Sequence, residues 1–229
     1  MSQKKLLIVF PTPFEAQNCF AHFSNNTVTA QVGEHLDFEN NNVNCRAFVM
    51  GYGCECSFNR VEKAVEDFTP DAFLLIGFCG ACKENINLGD LFYQGTCEYL
   101  ETFAKAINAI PAKIYQSERI AGQKIKMEVS KNYDIVDMEY RSVSEICAKK
   151  SIPFLCLRCT SDRANHKVPE AFFNALMNME GKDDFKAAKR TLWRHPLSIF
   201  LVLKLYKDIK PVKALYDTKV LEFVKSITL

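Results

Sequence analysis

The sequence predicts an α/β domain with parallel strand pairing, and three observations predict it. Short, largely apolar runs, Lys5–Phe10, Asp71–Ile76 and Phe154–Cys159, read as buried strands, and Val43–Met50 as another strand. Stretches of helical period stand between them. Phe58, Val61, Val65 and Phe68 share one face of 57–68, and Val143, Ile146 and Cys147 share one face after Asp137. The strand–helix–strand order then implies parallel pairing within one sheet. A chain of 229 residues, 48% hydrophobic, is long enough for one such domain of the larger sort.

Each element has a local reason. Pro11-Thr12-Pro13 stops the first strand. Pro13 suits the first turn of a helix, so Glu15 falls near a helix N-terminus, just past a strand's carboxyl end. Thr27–Val32 and Glu34–Phe38 read as a hairpin around Gly33, and Val43–Met50 ends in Gly51-Tyr52-Gly53. The helix 57–68 closes at Thr69-Pro70. The strand Asp71–Ile76 is followed by Gly77-Phe78-Cys79-Gly80, and Gly89-Asp90 turns into a strand at Leu91–Gln94. Within 96–134 the readable pieces are two short strands, Ala112–Tyr115 and Lys124–Met127. Ile135 and Val136 end a further strand. Asp137 is a good N-cap residue, and Glu139 opens the helix that Ser151-Ile152-Pro153 breaks.

Phe154–Cys159 is apolar except for Arg158, which is either a ligand contact or the partner of a buried acid. The strand stops in Thr160-Ser161-Asp162. Ligands gather outside the carboxyl ends of strands in open α/β sheets, so Asp162 sits where a sheet presents chemistry. Pro169–Met179 reads as a helix with Phe172, Leu176 and Met179 on one face. From about residue 191 the chain is a Lys-rich helical tail broken by Pro196 and Pro211. It reads as surface helices closing the domain, in preference to a basic amphipathic surface for a membrane or a partner, because the polar face of most such helices is simply solvated. With no repeat and no low-complexity linker, residues 1–229 read as one domain.

Composition narrows the class. A net charge of +2 gives no general argument for nucleic acid or a membrane. No apolar run reaches the roughly 20 residues that span a bilayer. The longest, Leu197–Leu203, is cut off by Lys204, and Leu6–Phe10 after Lys4-Lys5 is too short for a signal peptide. Most of the ten cysteines, Cys19, Cys79, Cys147, Cys156 and Cys159 among them, sit in apolar surroundings, as reduced cytoplasmic cysteine does. Cys54-x-Cys56 and Cys79-x-x-Cys82 supply one C-x-x-C where a zinc site needs two, so neither metal nor cofactor is expected.

Four segments, in order over residues 6–165, resemble one family. Leu6–Glu15 is similar to its opening strand and acidic turn, and Gly51-Tyr52-Gly53 to its G-x-G turn. Asp71–Asp90 resembles its P-D-x-x-x-x-x-G-x-x-G…x-x-G-D segment, and Val136-Asp137-Met138-Glu139 with Ser161-Asp162 its V-D-M-E and S-D pair. The family is the purine nucleoside phosphorylase / methylthioadenosine–adenosylhomocysteine nucleosidase superfamily. The resemblance implies a three-layer α/β/α sandwich around a mixed, partly closed sheet, and an oligomer, with a dimer favoured. It implies cleavage of an N-glycosidic bond in a small-molecule nucleoside. By position, Asp162 would hydrogen-bond or protonate the purine at N7, Glu139 would hold the ribose hydroxyls, and Met138 would pack on the sugar. Glu15 would activate water, and Gly77, Phe78 and Ser161 fall among the substrate-contacting positions.

The chemistry suits those residue types. Breaking the C1′–N9 bond leaves positive charge on the sugar and negative charge on the base. A carboxyl group near N7 neutralises the base, a carboxylate near the sugar stabilises an oxocarbenium-like state, and a third takes a proton from water. Each acid also has a purely structural reading, as an N-cap or as a favourable charge at a helix N-terminus. Charge bears on the nucleophile. Phosphate needs Arg, Lys or a nest of backbone N–H groups. No Lys or Arg occurs from Leu6 through Cys45 or from Ala64 through Cys82, and Phe78 stands where the family's phosphorylases place a Ser. Water is therefore favoured over phosphate. Phosphorolysis, or binding without turnover, remain the alternatives.

Overall fold

The computed structural model describes residues 3–24 and 28–228. Strand β1 (Lys4–Phe10) is buried from Leu6 to Phe10. Helix α1 (Pro13–Phe23) follows at once. The Thr12 hydroxyl accepts the Glu15 N–H, and Pro13 takes the first turn, where a missing N–H costs nothing.

Strands β2 (His35–Asn40) and β3 (Val43–Val49) form an antiparallel hairpin. Its turn is Asn41-Asn42, with φ of 50° and 63°. Asparagine accepts that left-handed geometry more readily than other side chains. The hairpin expected around Gly33 is therefore displaced. Residues 28–34 hold no strand, and Thr27 lies outside the described residues. Gly33, at φ 90°, turns the chain so that its N–H meets the Val49 carbonyl.

Helix α2 (Glu55–Phe68) leads to β4 (Ala72–Ala81), which runs straight through the glycines expected to end it. Then come β5 (Leu91–Gly95), α3 (Glu98–Ala106), β6 (Ile110–Pro111) and β7 (Ile114–Gln116). Helix α4 (Gln123–Val129) occupies the segment expected as the strand Lys124–Met127. The alternation Lys-Ile-Lys-Met-Glu mimics a strand, but its long unbranched side chains are good helix formers. Strand β8 (Ile135–Asp137), helix α5 (Tyr140–Lys149) and strand β9 (Phe154–Asp162) follow.

Three further helices complete the described chain: α6 (Glu170–Leu176), α7 (Phe185–Arg194) and α8 (Ser198–Ser226). Pro196 separates α7 from α8, as expected. Pro211 does not break α8, because Val212, Tyr216, Val220, Phe223 and Val224 bury one face and carry the helix past the lost hydrogen bond.

The sheet runs β2-β3-β1-β4-β9-β5-β6, with β8 pairing the end of β4 and β7 pairing β8. β1, β3, β4 and β9 are parallel; β2, β5 and β8 pair antiparallel, so the sheet is mixed. It is not closed, against the expectation of partial closure. Its path stops at β6, two residues ending on Pro111, which has no N–H with which to extend a ladder. Helices cover both faces. Ala16, Phe20, Leu100 and Phe223 pack on Leu6, Ile8, Leu74 and Leu157 on one side. Val61, Val65, Val143 and Ile146 pack on Leu7, Val9, Phe73 and Leu75 on the other. Full burial of each such side chain contributes about 1.5–3 kcal/mol. The result is the three-layer α/β/α arrangement, with the carboxyl ends of β1, β4 and β9 side by side.

Candidate functional site

Arg158, the one charge in the apolar stretch Phe154–Cys159 of β9, is fully buried, and the polar residues organise around it. Its Nε and Nη2 donate to Asp137 Oδ2 at 2.9 and 2.5 Å, and Nη2 also donates to Glu139 Oε2 at 3.1 Å. Asp137 still accepts the Tyr140 N–H at the start of α5, as an N-terminal acid should, but its main partner is Arg158. Glu139 Oε1 accepts the Gly53 N–H at 3.1 Å. Met138 between them is half-buried, and its backbone presses on Gly53 so closely that no side chain fits there.

Glu15 arrives from α1 on the same end of the sheet. Its Oε1 accepts the Phe78 N–H at 2.7 Å and its Oε2 the Thr12 hydroxyl at 2.6 Å. Gly77 is the meeting point. A Cβ there would collide with Arg158 Nη1 and lie 2.6 Å from Glu15 Oε1. This is why β4 needs glycine at a position that local rules read as a turn. Arg158 Nη1 is buried without a hydrogen-bond partner among the described residues, and such an orphan calls for a water or ligand atom.

Burial sets the acids' charge states. It raises Glu15 above the ordinary carboxylate range, against the opposing hydrogen bonds from Thr12 and Phe78 and the charge of Arg158. It pushes Glu139 up to about 8; Arg158 opposes the rise, and the nearby Asp137 and Glu15 carboxylates add to it.

Asp162 belongs to a second cluster three residues further along β4. A bulge after Thr160 shifts the register so that Asp162 stands opposite Gly80. Its carboxylate is ion-paired with Lys126 of α4, a side chain only 1% exposed, whose Nζ also donates to the Arg163 carbonyl at 3.1 Å. Ser161 donates to Asp162 Oδ1 at 2.9 Å and, as an alternative, to the Cys79 carbonyl at 3.0 Å. Gly80 makes room for the lysine, since a Cβ there would lie 2.9 Å from Lys126 Cε and 3.2 Å from Asp162 Oδ2. Gly80→Ala should cost about 1–3 kcal/mol by overpacking a buried ion pair. Thermal melts check this, and an unchanged midpoint would show that Lys126 is free to move.

Phe78 is half-buried. Its ring packs on Tyr216 of α8 at 4.5 Å and on Phe14 at 6.1 Å, while only its backbone reaches Glu15. Two clefts flank the polar row. One of about 300 Å³ is lined by Thr12, Pro13, Tyr52 and Asp183 among others. The other, about 580 Å³, is lined by Cys82, Gln123, Met127, Ala164 and Asn165 among others, beside Lys126 and Asp162. Both volumes suit small-molecule ligands.

The expected residues thus fall into two stations on one strand. Glu15, Glu139 and Gly77 gather around Arg158. Asp162 and Ser161 gather with Lys126 at Gly80. Sequence reasoning missed Lys126 and Thr12, named Gly53 only as part of the Gly51-Tyr52-Gly53 turn, and left Arg158 open. The isolated charge in an apolar strand was the one available signal for Arg158. Lys126 carried none, because its burial depends on a helix that the alternation concealed. All ten cysteines are free, and no group of His, Cys, Asp and Glu among the described residues is arranged to hold a metal ion.

No protein-family model matches the chain, and no curated protein matches it in sequence. Solved structures do. The chain is similar to the 5′-methylthioadenosine/S-adenosyl homocysteine nucleosidase of Campylobacter jejuni, with 16% identity and a TM-score of 0.68 over 98% of this chain and 100% of that one. It is similar to the futalosine hydrolase of Helicobacter pylori, with 13% identity and a TM-score of 0.69 over 98% and 99% of the two chains. It is also similar to the 5′-methylthioadenosine/S-adenosylhomocysteine nucleosidase of S. pneumoniae, with 17% identity and a TM-score of 0.66 over 97% and 99%. At these identities the likeness shows a shared fold.

Proposed function

From a chain that carries the fold of the nucleoside phosphorylase-like superfamily, we propose an enzyme that cleaves the N-glycosidic bond of a purine or related nucleoside with water as the nucleophile. The observation that carries this reading is the pair of polar stations on β4. Gly77, beside Glu15 and Arg158, and Gly80, beside Asp162 and Lys126, are three residues apart. At roughly 3.3 Å per residue that is about 10 Å along the strand, and because residues three apart face opposite sides, one nucleoside reaches both by crossing the carboxyl end of β4.

In this reading the Lys126–Asp162 pair faces the base. The ammonium donates to the nitrogen on which negative charge collects, and Asp162, steadied by Ser161, holds the ammonium there. Glu139 in its ionised form anchors the ribose hydroxyls and stabilises the cationic sugar, with Met138 against the ring. Glu15 accepts a proton from the attacking water, a role suited to a carboxylate whose proton affinity burial has raised. Arg158 does not recruit phosphate in this reading, because its Nε and Nη2 are already committed to the buried Asp137 and Glu139 carboxyl groups. The reading includes a cytoplasmic homodimer, on the reduced cysteines and the family resemblance.

One observation favours a second reading, a nucleoside-binding protein without turnover: Asp162 and Glu139 are both already held in internal ion pairs. Incubation with methylthioadenosine, adenosylhomocysteine, futalosine and inosine, with and without phosphate, separates the readings. Free base released without phosphate is expected. Release that strictly requires phosphate means a phosphorylase. No release, together with thermal stabilisation by adenine, means binding alone.

The raised Glu139 has a consequence for stability. The folded chain keeps a proton that the unfolded chain releases between 4.5 and about 8. Its contribution therefore falls as pH rises through that window, and Glu139→Gln should flatten the slope. Denaturant melts of both proteins across the window check it. Equal slopes would contradict the burial assigned to Glu139.

A further inference from the structure

The basic tail makes a surface that the catalytic reading does not use. Trp193, Leu197, Phe200, Leu203 and Tyr206 are 80%, 78%, 67%, 59% and 66% exposed. No residue of 198–210 is buried, whereas from Val212 onward α8 packs on the body. The first half of α8 is therefore half-buried along one side, at Leu201, Val202, Leu205 and Ile209, and its sequence, SIFLVLKLYKDIK, leaves large apolar side chains exposed on the other. Such a face is normally buried in something.

Charge selects the occupant. Between Phe185 and Lys210 there are seven lysines and arginines and one acid, Asp208, in a chain of net charge +2. None of the seven forms an ion pair among the described residues. A second copy docked by two-fold symmetry would set these cations against themselves. An anionic lipid surface meets both needs. Headgroups pair with the cations, the acyl boundary takes the apolar side chains, and Trp and Tyr favour that depth. No helix among the described residues is long and apolar enough to cross a membrane.

We propose that α7 and the first half of α8 seat this protein on an anionic membrane surface, lying in its plane. The seat lies beside the candidate site, since Lys204 and Asp208 are near enough to His166, just past Asp162, for their charges to act on it.

Trp193 is the one tryptophan in the chain, so its fluorescence reports on this surface directly. The full chain is titrated with vesicles of phosphatidylcholine alone and of phosphatidylcholine mixed with phosphatidylglycerol. A blue shift and co-sedimentation are expected with the mixed vesicles only, and are expected to weaken with salt. Lys204→Gln, Lys207→Gln and Lys210→Gln together should weaken binding about a hundredfold, and Phe200→Ser with Leu203→Ser should abolish the shift. No response to the mixed vesicles overturns the proposal, as does a response that the variants leave unchanged. A shift lost on dilution of the free protein, which means self-association, overturns it too. A shift with polyglutamate but not with vesicles overturns it in favour of an acidic protein partner. Failure here leaves the glycosidic-bond reading untouched, because no residue is shared.

Discussion

Arg158→Met is expected to leave little folded protein. Arg158 and Asp137 have fully buried side chains and Glu139 nearly so, and the guanidinium is the cation that balances both acids. Removing one partner of a buried ion pair costs about 3–5 kcal/mol, because the other charge is stranded. Here Asp137 is stranded, and Glu139 loses the donor that holds it. A domain is stable by only about 5–15 kcal/mol. Arg158→Lys should not rescue, since an ammonium cannot make the forked contact to Asp137 while reaching Glu139. Arg158→Met combined with Asp137→Asn and Glu139→Gln should recover much of the loss, because the stranded carboxyl groups go too. Denaturant melts of the three proteins test this. A stable Arg158→Met protein would mean that the acids are wet and that the first station is not a closed site.

Lys126→Met and Asp162→Asn are expected to lower nucleoside cleavage by about 10²–10⁴, the usual effect of losing a group that handles a proton in the transition state. In the proposed function the pair acts at the leaving base, so the loss should depend on the leaving group. A nitrophenyl riboside, whose leaving group needs no proton, should be cleaved nearly as fast by both variants as by the unmodified chain. If both substrates suffer equally, Lys126 and Asp162 hold the fold and take no part in departure of the base. Circular dichroism separates that outcome from simple unfolding.

Much of this arrangement could be read from the residues, and the parts that could not have a common cause. Largely apolar runs gave β1 and β9 because burial on both faces leaves no other pattern, whereas β3 alternates buried and half-buried residues over its first half. Pro13 placed Glu15 correctly because proline belongs in a first helical turn. Gly77 and Gly80 misled, since a glycine's local preference is for a turn. Here each is required by a side chain arriving from elsewhere: Arg158 and Glu15 at one, Lys126 at the other. The same holds for α4. Period-two alternation pointed to a strand, yet its lysine is buried against an acid 36 residues away. Pro211 should have ended a helix, and packing from Val212 onward overrode it. Local signals sufficed for the strands and the acids on them. They failed where a long-range contact decides, which is also where the site is assembled.

The central claim is that water attacks the sugar carbon of a nucleoside held between Glu139 and the Lys126–Asp162 pair. Running the reaction in heavy-oxygen water, and weighing the sugar released, reads this directly. One heavy oxygen at C1′ in a free sugar, with phosphate absent, is the predicted result. A sugar phosphate carrying no label, or an intact nucleoside after long incubation, would contradict it.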